Sequence, residues 1–176
     1  MRLFIGVPVP GGPVYGRVAS DLPLDARPVP PGTWHVTLRF LGEVFDPAAV
    51  ADALQGAVRG RPRLPCVVEG LGAFPDAKRA RVVWAGVRAP GIEGLAEAVE
   101  SATAKFGEPP ERRRFVAHAT LARIRAPADL RSLVARHAGT RFAEGVLDRV
   151  VLYRSVTGPG GASYERLHEA PLGGEA

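Results

Sequence analysis

The stretch TWHVTLRF at residues 33–40 has the β-branched and aromatic composition of a buried strand, apart from His35. The stretch VAHATLAR at 116–123 contains the same word, His-x-Thr-Leu, with His118 lying 83 residues after His35. The whole chain has only 4 histidines. Two of them in one repeated word predict an internal repeat, which extends outward from these two strands.

The same order of elements surrounds each copy of the word. Strand and helix patterns lie at 2–9, 14–22, 34–41, 46–60 and 64–74 in the first half, and at 80–87, 91–107, 115–124, 126–139 and 146–156 in the second. The order β-α-β-α-β therefore occurs twice. The offset is 80 residues at the shared Gly-Val ends of the opening strands and 83 at the histidines.

A repeat of this period is too long for a solenoid and predicts two related lobes around a pseudo-twofold axis. We expect an α+β fold that is bilobal, with antiparallel sheets lining a central cleft and helices outside. The chain is expected to form a single domain over 1–176. Its repeats would span about 1–79 and 80–156, followed by a C-terminal segment at 157–176.

The composition is that of a soluble globular protein of 176 residues, with 46% hydrophobic and 23% charged residues. The net charge is +5, and arginine supplies nearly all the basic side chains. Arginine binds phosphate well, which suits nucleic-acid ligands. A GC-rich genome would produce the same excess, and the absence of Asn fits that second explanation.

The compartment is predicted from cysteine and from hydrophobic runs. The single cysteine, Cys66, excludes an intrachain disulfide and fits a reducing compartment. The opening MRLFIGVPVPGGP has too short an apolar run for a signal peptide. No run approaches the length of a membrane helix. We therefore expect a cytoplasmic protein with no membrane partner.

Each His-x-Thr word places one imidazole and one hydroxyl on the same face of a strand. His35 pairs in this way with Thr37, and His118 with Thr120. Near pH 7 one imidazole can be neutral while the other is charged, which is what paired general base and general acid catalysis needs. The threonines, with a nearby arginine, are candidates to hold the oxygens of a phosphate.

Two other interpretations of the histidines stay open. A duplication could have copied a histidine with a purely structural role. A metal site is the other alternative, but the two words contain neither a third histidine nor a carboxylate triad that would complete it. No glycine-rich nucleotide-binding loop occurs in the chain.

The words HVTLRFLGEV and HATLAR, about half a chain apart, resemble those of the two-histidine (2H) phosphoesterases. Within that superfamily the chain is most similar to the RNA 2′,3′-cyclic phosphodiesterases, also called 2′-5′ RNA ligases. The stretches RLFIGVPVP, GLGAFPD, RVVWAGV and SYERLHEAPL extend the resemblance over nearly the whole chain. The resemblance implies the bilobal fold predicted above, with the His-x-Thr strands lining a cleft.

The resemblance also implies an activity and roles for the repeated residues. The activity is hydrolysis of a terminal 2′,3′-cyclic phosphate of RNA to a 2′-phosphate, without metal or cofactor, together with weak, reversible 2′-5′ joining. His35 and His118 would be the acid–base pair, and Thr37 and Thr120 the donors to phosphate oxygens. We assign His118 as base toward water and His35 as acid toward the leaving 3′-oxygen.

Four further residues are predicted to bind substrate. Arg39 lies four residues after His35, so a regular strand puts both on one face. Arg123 lies five residues after His118 and reaches the site only if the strand contains a bulge. Phe40 and Tyr164 are candidates to stack on a base. The run RRRF at 112–115 could steer an RNA backbone toward the cleft.

The expected partner is RNA with 2′,3′-cyclic phosphate ends, including tRNA fragments, or nucleotides, and a monomer is expected. One alternative function is a phosphodiesterase for 2′-5′ oligonucleotides or small cyclic phosphates. Another is a non-catalytic nucleotide- or RNA-binding module on the same fold.

Overall fold

A computed structural model describes residues 1–12 and 15–174 of the chain. A 3₁₀ turn lies at Pro31–Thr33. The strands and helices are, in chain order, β1 (Arg2–Pro8), α1 (Tyr15–Ala19), β2 (Ala26–Pro28), β3 (His35–Glu43), α2 (Pro47–Val58), β4 (Leu64–Phe74), β5 (Ala80–Arg88), α3 (Ile92–Thr103), β6 (His118–Ala128), α4 (Arg131–Arg136), β7 (Arg141–Leu147), β8 (Arg149–Gly158) and β9 (Gly161–Pro171).

The nine strands form one antiparallel sheet in the order β7-β4-β5-β6-β3-β1-β8-β9, with β2 paired to β6. The two His-x-Thr strands, β3 and β6, are adjacent at its centre. They are joined by a single residue pair, Val36 with Ala119. The sheet therefore consists of two halves that meet at the repeated motif, one of four strands and one of four strands with β2 added beside β6. The prediction of an antiparallel α+β fold is confirmed.

Each half of the sheet combines strands from both halves of the sequence. β4 pairs with β5, and β8 pairs with β1. The segment after residue 156 is not separate from the sheet, because β9 pairs with β8 along its whole length. The sequence also gave no indication of β2 or β7 as strands.

The shared Gly-Val dipeptides of the two opening strands are not equivalent in the sheet. Gly6 lies opposite Thr37, whereas Gly86 lies opposite His118. The two strands thus differ by two residues in their register against the motif strands. The offset of 83 at the histidines, not the offset of 80 at the dipeptides, is the one that relates the two motif strands.

The helices bury one face of the central strands and leave the other open. The first turn of α2 is capped by Asp46, whose Oδ1 accepts a hydrogen bond from the Ala49 amide at 3.0 Å. Apolar side chains of α2 and α3, including Leu54 and Val99, share a core with Val36 and Leu121. The histidine and threonine of each motif alternate with these buried residues, so they lie on the open face.

All four helices in the described residues are shorter than the sequence indicated, and α2, expected over 46–60, spans Pro47–Val58. The helix expected at 91–107 ends at Thr103, and the one expected at 126–139 begins at Arg131, because β6 continues to Ala128. α1 covers Tyr15–Ala19 of the predicted 14–22, of which residue 14 lies outside the described residues. Within the described residues, no helix has the length and apolar character needed to cross a bilayer.

Candidate active site

Both central strands contain a β-bulge immediately after the His-x-Thr word. In β3, Thr37 lies opposite Gly6 and Arg39 opposite Ile5, so Leu38 is an extra residue. In β6, Leu121 is the extra residue in the same way, between Thr120 and Ala122. A bulge reverses the alternation of faces beyond it. The open face therefore carries Phe40 and Arg123, which regular alternation would place on the buried face.

Arg123 lines the cleft that also contains His35 and both motif threonines. The bulge that its position required is thus present in β6. The bulge in β3 brings Phe40 to the same cleft, 44% exposed. The two strands therefore present matching triplets to the open face, His-Thr-Phe on β3 and His-Thr-Arg on β6.

The prediction that Arg39 shares the face of His35 is wrong, and the bulge at Leu38 is the physical reason. The Arg39 side chain is only 4% exposed. Its guanidinium donates hydrogen bonds to the carbonyl oxygens of Glu100, Phe106 and Glu108, at 3.1, 3.1 and 2.9 Å. Arg39 thus fastens β3 to the connection between α3 and β6 instead of facing a phosphate.

Substitution of Arg39 by methionine is expected to lower the free energy of unfolding by about 3 kcal/mol, because three part-buried carbonyl groups lose a charged donor. Urea unfolding measures the change. Arg59→Met is the control, since Arg59 is exposed at the end of α2. Equal stability of the Arg39 and Arg59 variants would contradict a structural role for Arg39.

The two histidines are oriented in the same way. Nδ1 of His35 lies 3.0 Å from the carbonyl oxygen of Thr33, and Nδ1 of His118 lies 2.7 Å from that of Val116. A carbonyl oxygen only accepts, so each Nδ1 carries the hydrogen and donates. Each Nε2 is left available to exchange a proton in the cleft.

Aromatic rings surround both imidazoles. His35 lies between 5.1 and 5.5 Å from the ring centroids of Phe4, Tyr153 and Tyr164. His118 lies 5.0 Å from Phe74 and 5.6 Å from Trp84. These contacts fix the imidazoles and reduce their access to water.

Burial is the main reason that the pKa of each histidine lies below its usual value of 6.5. The positive charge of Arg123 lowers the pKa of both rings further, and the charge of His118 also lowers that of His35. These effects are opposed in each ring by its hydrogen bond to a backbone carbonyl.

The pH dependence of kcat/KM follows from these shifts. Acid–base catalysis by a histidine pair needs one ring neutral and one protonated, and that form is most abundant between the two pKa values. We expect kcat/KM to reach its maximum below pH 6.5. In Arg123→Met the maximum should move to higher pH, since a positive charge is removed. A wild-type maximum above about pH 7 would contradict this expectation.

Two clefts meet at the motif strands. The first cleft has a volume of about 350 Å³ and contains His35, Thr37, Thr120 and Arg123. The second cleft, of about 900 Å³, contains His118 and is bounded by Phe74, Phe115 and Arg112–Arg114. Thr37 and Phe40 line both, so the two clefts are continuous across β3.

The aromatic side chains near His35 are divided between the core and the first cleft. Tyr164 lines the first cleft and packs edge-on against His35. Trp34, which precedes His35 in the chain, is 2% exposed in the core. The arginines at 112–114 are exposed beside the second cleft, on the side of His118.

The sequence did not identify four polar residues that also line the first cleft, Arg2, Thr33, Ser155 and Thr157. Ser155 and Thr157 come from β8, whose position beside β1 depends on long-range pairing. In the described part of the chain, no group of three or more His, Cys, Asp or Glu side chains comes together as a metal site.

Comparison with known proteins agrees with this arrangement. A family model for LigT-like phosphoesterases matches the chain twice, over residues 8–84 and 87–164. The chain belongs to the LigT-like phosphoesterases. The double match covers both His-x-Thr strands of this phosphoesterase, one in each segment.

Relatives of this phosphoesterase carry a common name. A protein of Aquifex aeolicus named RNA 2′,3′-cyclic phosphodiesterase is 32% identical over 161 residues, covering 88% of this chain and 86% of the relative. A protein of Aeropyrum pernix with the same name is 36% identical over 141 residues, covering 77% of this chain and 80% of the relative.

Solved structures resemble this LigT-like chain along its full length. A Thermus thermophilus protein superposes with a TM-score of 0.81 at 30% identity, covering 100% of both chains. Escherichia coli LigT in complex with 3′-AMP superposes with a TM-score of 0.74 at 27% identity, covering 98% of both chains.

Proposed function

We propose that this phosphoesterase hydrolyses the terminal 2′,3′-cyclic phosphate of RNA to a 2′-phosphate, using His35 and His118 as its acid–base pair and no metal. The observation that carries the proposal is the symmetric pair of imidazoles, each with Nδ1 on a backbone carbonyl and a motif threonine beside it. The shared name of the relatives supports the same substrate.

The phosphate binds where Thr37, Thr120 and Arg123 line the first cleft together. The two hydroxyls donate to the non-bridging oxygens, and the guanidinium stabilises the charge that grows on them as water adds to phosphorus. One histidine takes the proton of the water. The other gives a proton to the 3′-oxygen as its bond to phosphorus breaks, which leaves a 2′-phosphate.

The two clefts support the assignment of His118 as base and His35 as acid. Both threonines, Arg123 and the ring of Tyr164 lie in the first cleft with His35, which favours that cleft for the nucleoside. The 3′-oxygen belongs to that nucleoside, so it leaves on the side of His35. In an in-line displacement the water enters from the opposite side, where His118 lines the second cleft.

A substrate panel separates this function from its alternatives. The panel contains an RNA ending in a 2′,3′-cyclic phosphate, a 2′-5′-linked oligonucleotide and a small cyclic nucleotide. The proposal expects the highest kcat/KM on the RNA. A higher value on either other substrate would favour that activity on the same site, and binding of the RNA without turnover would favour a non-catalytic module.

The second cleft favours 2′-5′ joining as a second candidate function. A volume of about 900 Å³ beside His118 exceeds what an attacking water needs. An RNA 5′-hydroxyl there would give its proton to His118 and attack phosphorus, while His35 protonates the 3′-oxygen. Incubation of cyclic-phosphate RNA with 5′-hydroxyl RNA should yield a 2′-5′-linked product, and no joined product at any concentration would exclude this activity.

Three further expectations belong to the same proposal. RNA ends such as those of tRNA fragments are the substrates, the protein is a monomer, and it acts in the cytoplasm. The thiol of Cys66, buried in β4, supports a reducing compartment. We also propose that the chain is one domain built from repeats at 1–79 and 80–156. The two matches of the family model support this division.

A further inference from the structure

Arg2 lies at the end of the first cleft that is farther from the histidines. It begins β1, and its guanidinium carbon is 5.1 Å from the centroid of the Phe40 ring. Both residues line the cleft that contains Thr37 and Arg123. Neither the acid–base chemistry nor the binding of the cyclic phosphate uses Arg2.

The charge of Arg2 is not neutralised by an ion pair in the described part of the chain. Glu43 lies opposite Arg2 in the register of β1 and β3. Its carboxylate instead binds the ammonium group of Met1 at 2.7 Å. That contact is the main cause of the lowered pKa of Glu43, with a smaller contribution from Arg2. The charges of the Met1 ammonium, Glu43 and Arg2 sum to one positive charge at this end of the cleft.

The spacing along β3 suits one nucleoside between two phosphates. The cyclic phosphate is expected beside Thr37. Phe40 lies three residues further along β3, and the bulge shortens its distance from Thr37 to less than about 10 Å. A ribose and base bound between them would direct the 5′-carbon toward Phe40 and Arg2. An arginine guanidinium in that position matches the geometry of a phosphate group.

We propose that Arg2 binds the phosphate on the 5′ side of the terminal nucleoside, and so makes the site prefer an RNA end to a lone nucleoside cyclic phosphate. This proposal rests on the proposed function above. The ligand group is a phosphodiester or phosphomonoester at the 5′-oxygen, and the residue determines specificity without taking part in the chemical step.

The test compares kcat/KM on a nucleoside 2′,3′-cyclic phosphate with that on the same compound carrying a 5′-phosphate. A dinucleotide ending in the cyclic phosphate is the third substrate. In the wild type we expect the two substrates with a 5′ phosphate group to be preferred by roughly tenfold. In Arg2→Met the preference should fall to within about twofold of unity, and Arg2→Lys should restore part of it.

Arg59→Met is the matched control, because it removes the same charge outside both clefts and should keep the wild-type preference. An unchanged preference in Arg2→Met would overturn the proposal. An equal loss of kcat/KM on all three substrates would also overturn it, because Arg2 would then act by holding the Phe40 ring against the base. If the wild type hydrolyses none of the three, the proposed function itself is wrong, and that outcome is distinct from the other two.

Discussion

Alanine at His35 or at His118 is expected to lower kcat at least about 100-fold, because each substitution removes one of the two proton transfers. Each imidazole contributes its Nε2, since its Nδ1 is bound to a backbone carbonyl. Within the described residues, the titratable side chains that line the first cleft besides His35 are Arg2, Arg123 and Tyr164. Steady-state hydrolysis of an RNA 2′,3′-cyclic phosphate measures the loss.

Folding has to be retained in both variants for this result to count. His35 packs against three aromatic rings, so circular dichroism and urea unfolding accompany the kinetics. His168→Ala is the matched control, since His168 lies outside both clefts and bonds Gln55 at 3.2 Å. Near wild-type turnover in either motif variant would refute the two-histidine mechanism.

Replacement of Arg123 by methionine is expected to cause the second large loss of activity. We expect kcat/KM to fall by about 10- to 100-fold, corresponding to the loss of one charged contact with the phosphate in the transition state. The stability of the fold should change little, because the Arg123 side chain is exposed and makes no ion pair within the described residues. The kinetics and a urea unfolding curve check both statements.

Arg125→Met provides the comparison for Arg123. Arg125 is exposed on the same strand two residues further along, and it does not line either cleft. Its removal subtracts the same charge from the protein without touching the phosphate. An equal loss of kcat/KM in both variants would show that Arg123 acts only through long-range charge, and that the bulge after Thr120 is not needed for function.

The sequence predicted the site where a local pattern determines the structure. The repeated word at His35 and His118 identified the two central strands and the side chains on their open face. Strand alternation is a local property, so Thr37 and Thr120 could be placed without knowledge of the partner strands. The matched pair also indicated the antiparallel α+β fold.

The sequence failed where the partner strand determines the structure. The bulge at Leu38 depends on how β3 pairs with β1, and regular alternation therefore placed Arg39 on the wrong face. The expectation of a C-terminal segment at 157–176 outside the repeats missed β9, which pairs with β8. The pairing of β4 with β5 and of β8 with β1 is likewise long-range, and no local pattern specifies it.

The most direct test of the two-histidine chemistry is the identity of the product formed with EDTA present. The purified protein is incubated with a short RNA ending in a 2′,3′-cyclic phosphate, and the new end group is identified by mass spectrometry and by its sensitivity to a 3′-specific phosphatase. The account predicts a 2′-phosphate at an undiminished rate. A 3′-phosphate, or loss of activity that added metal restores, would contradict it.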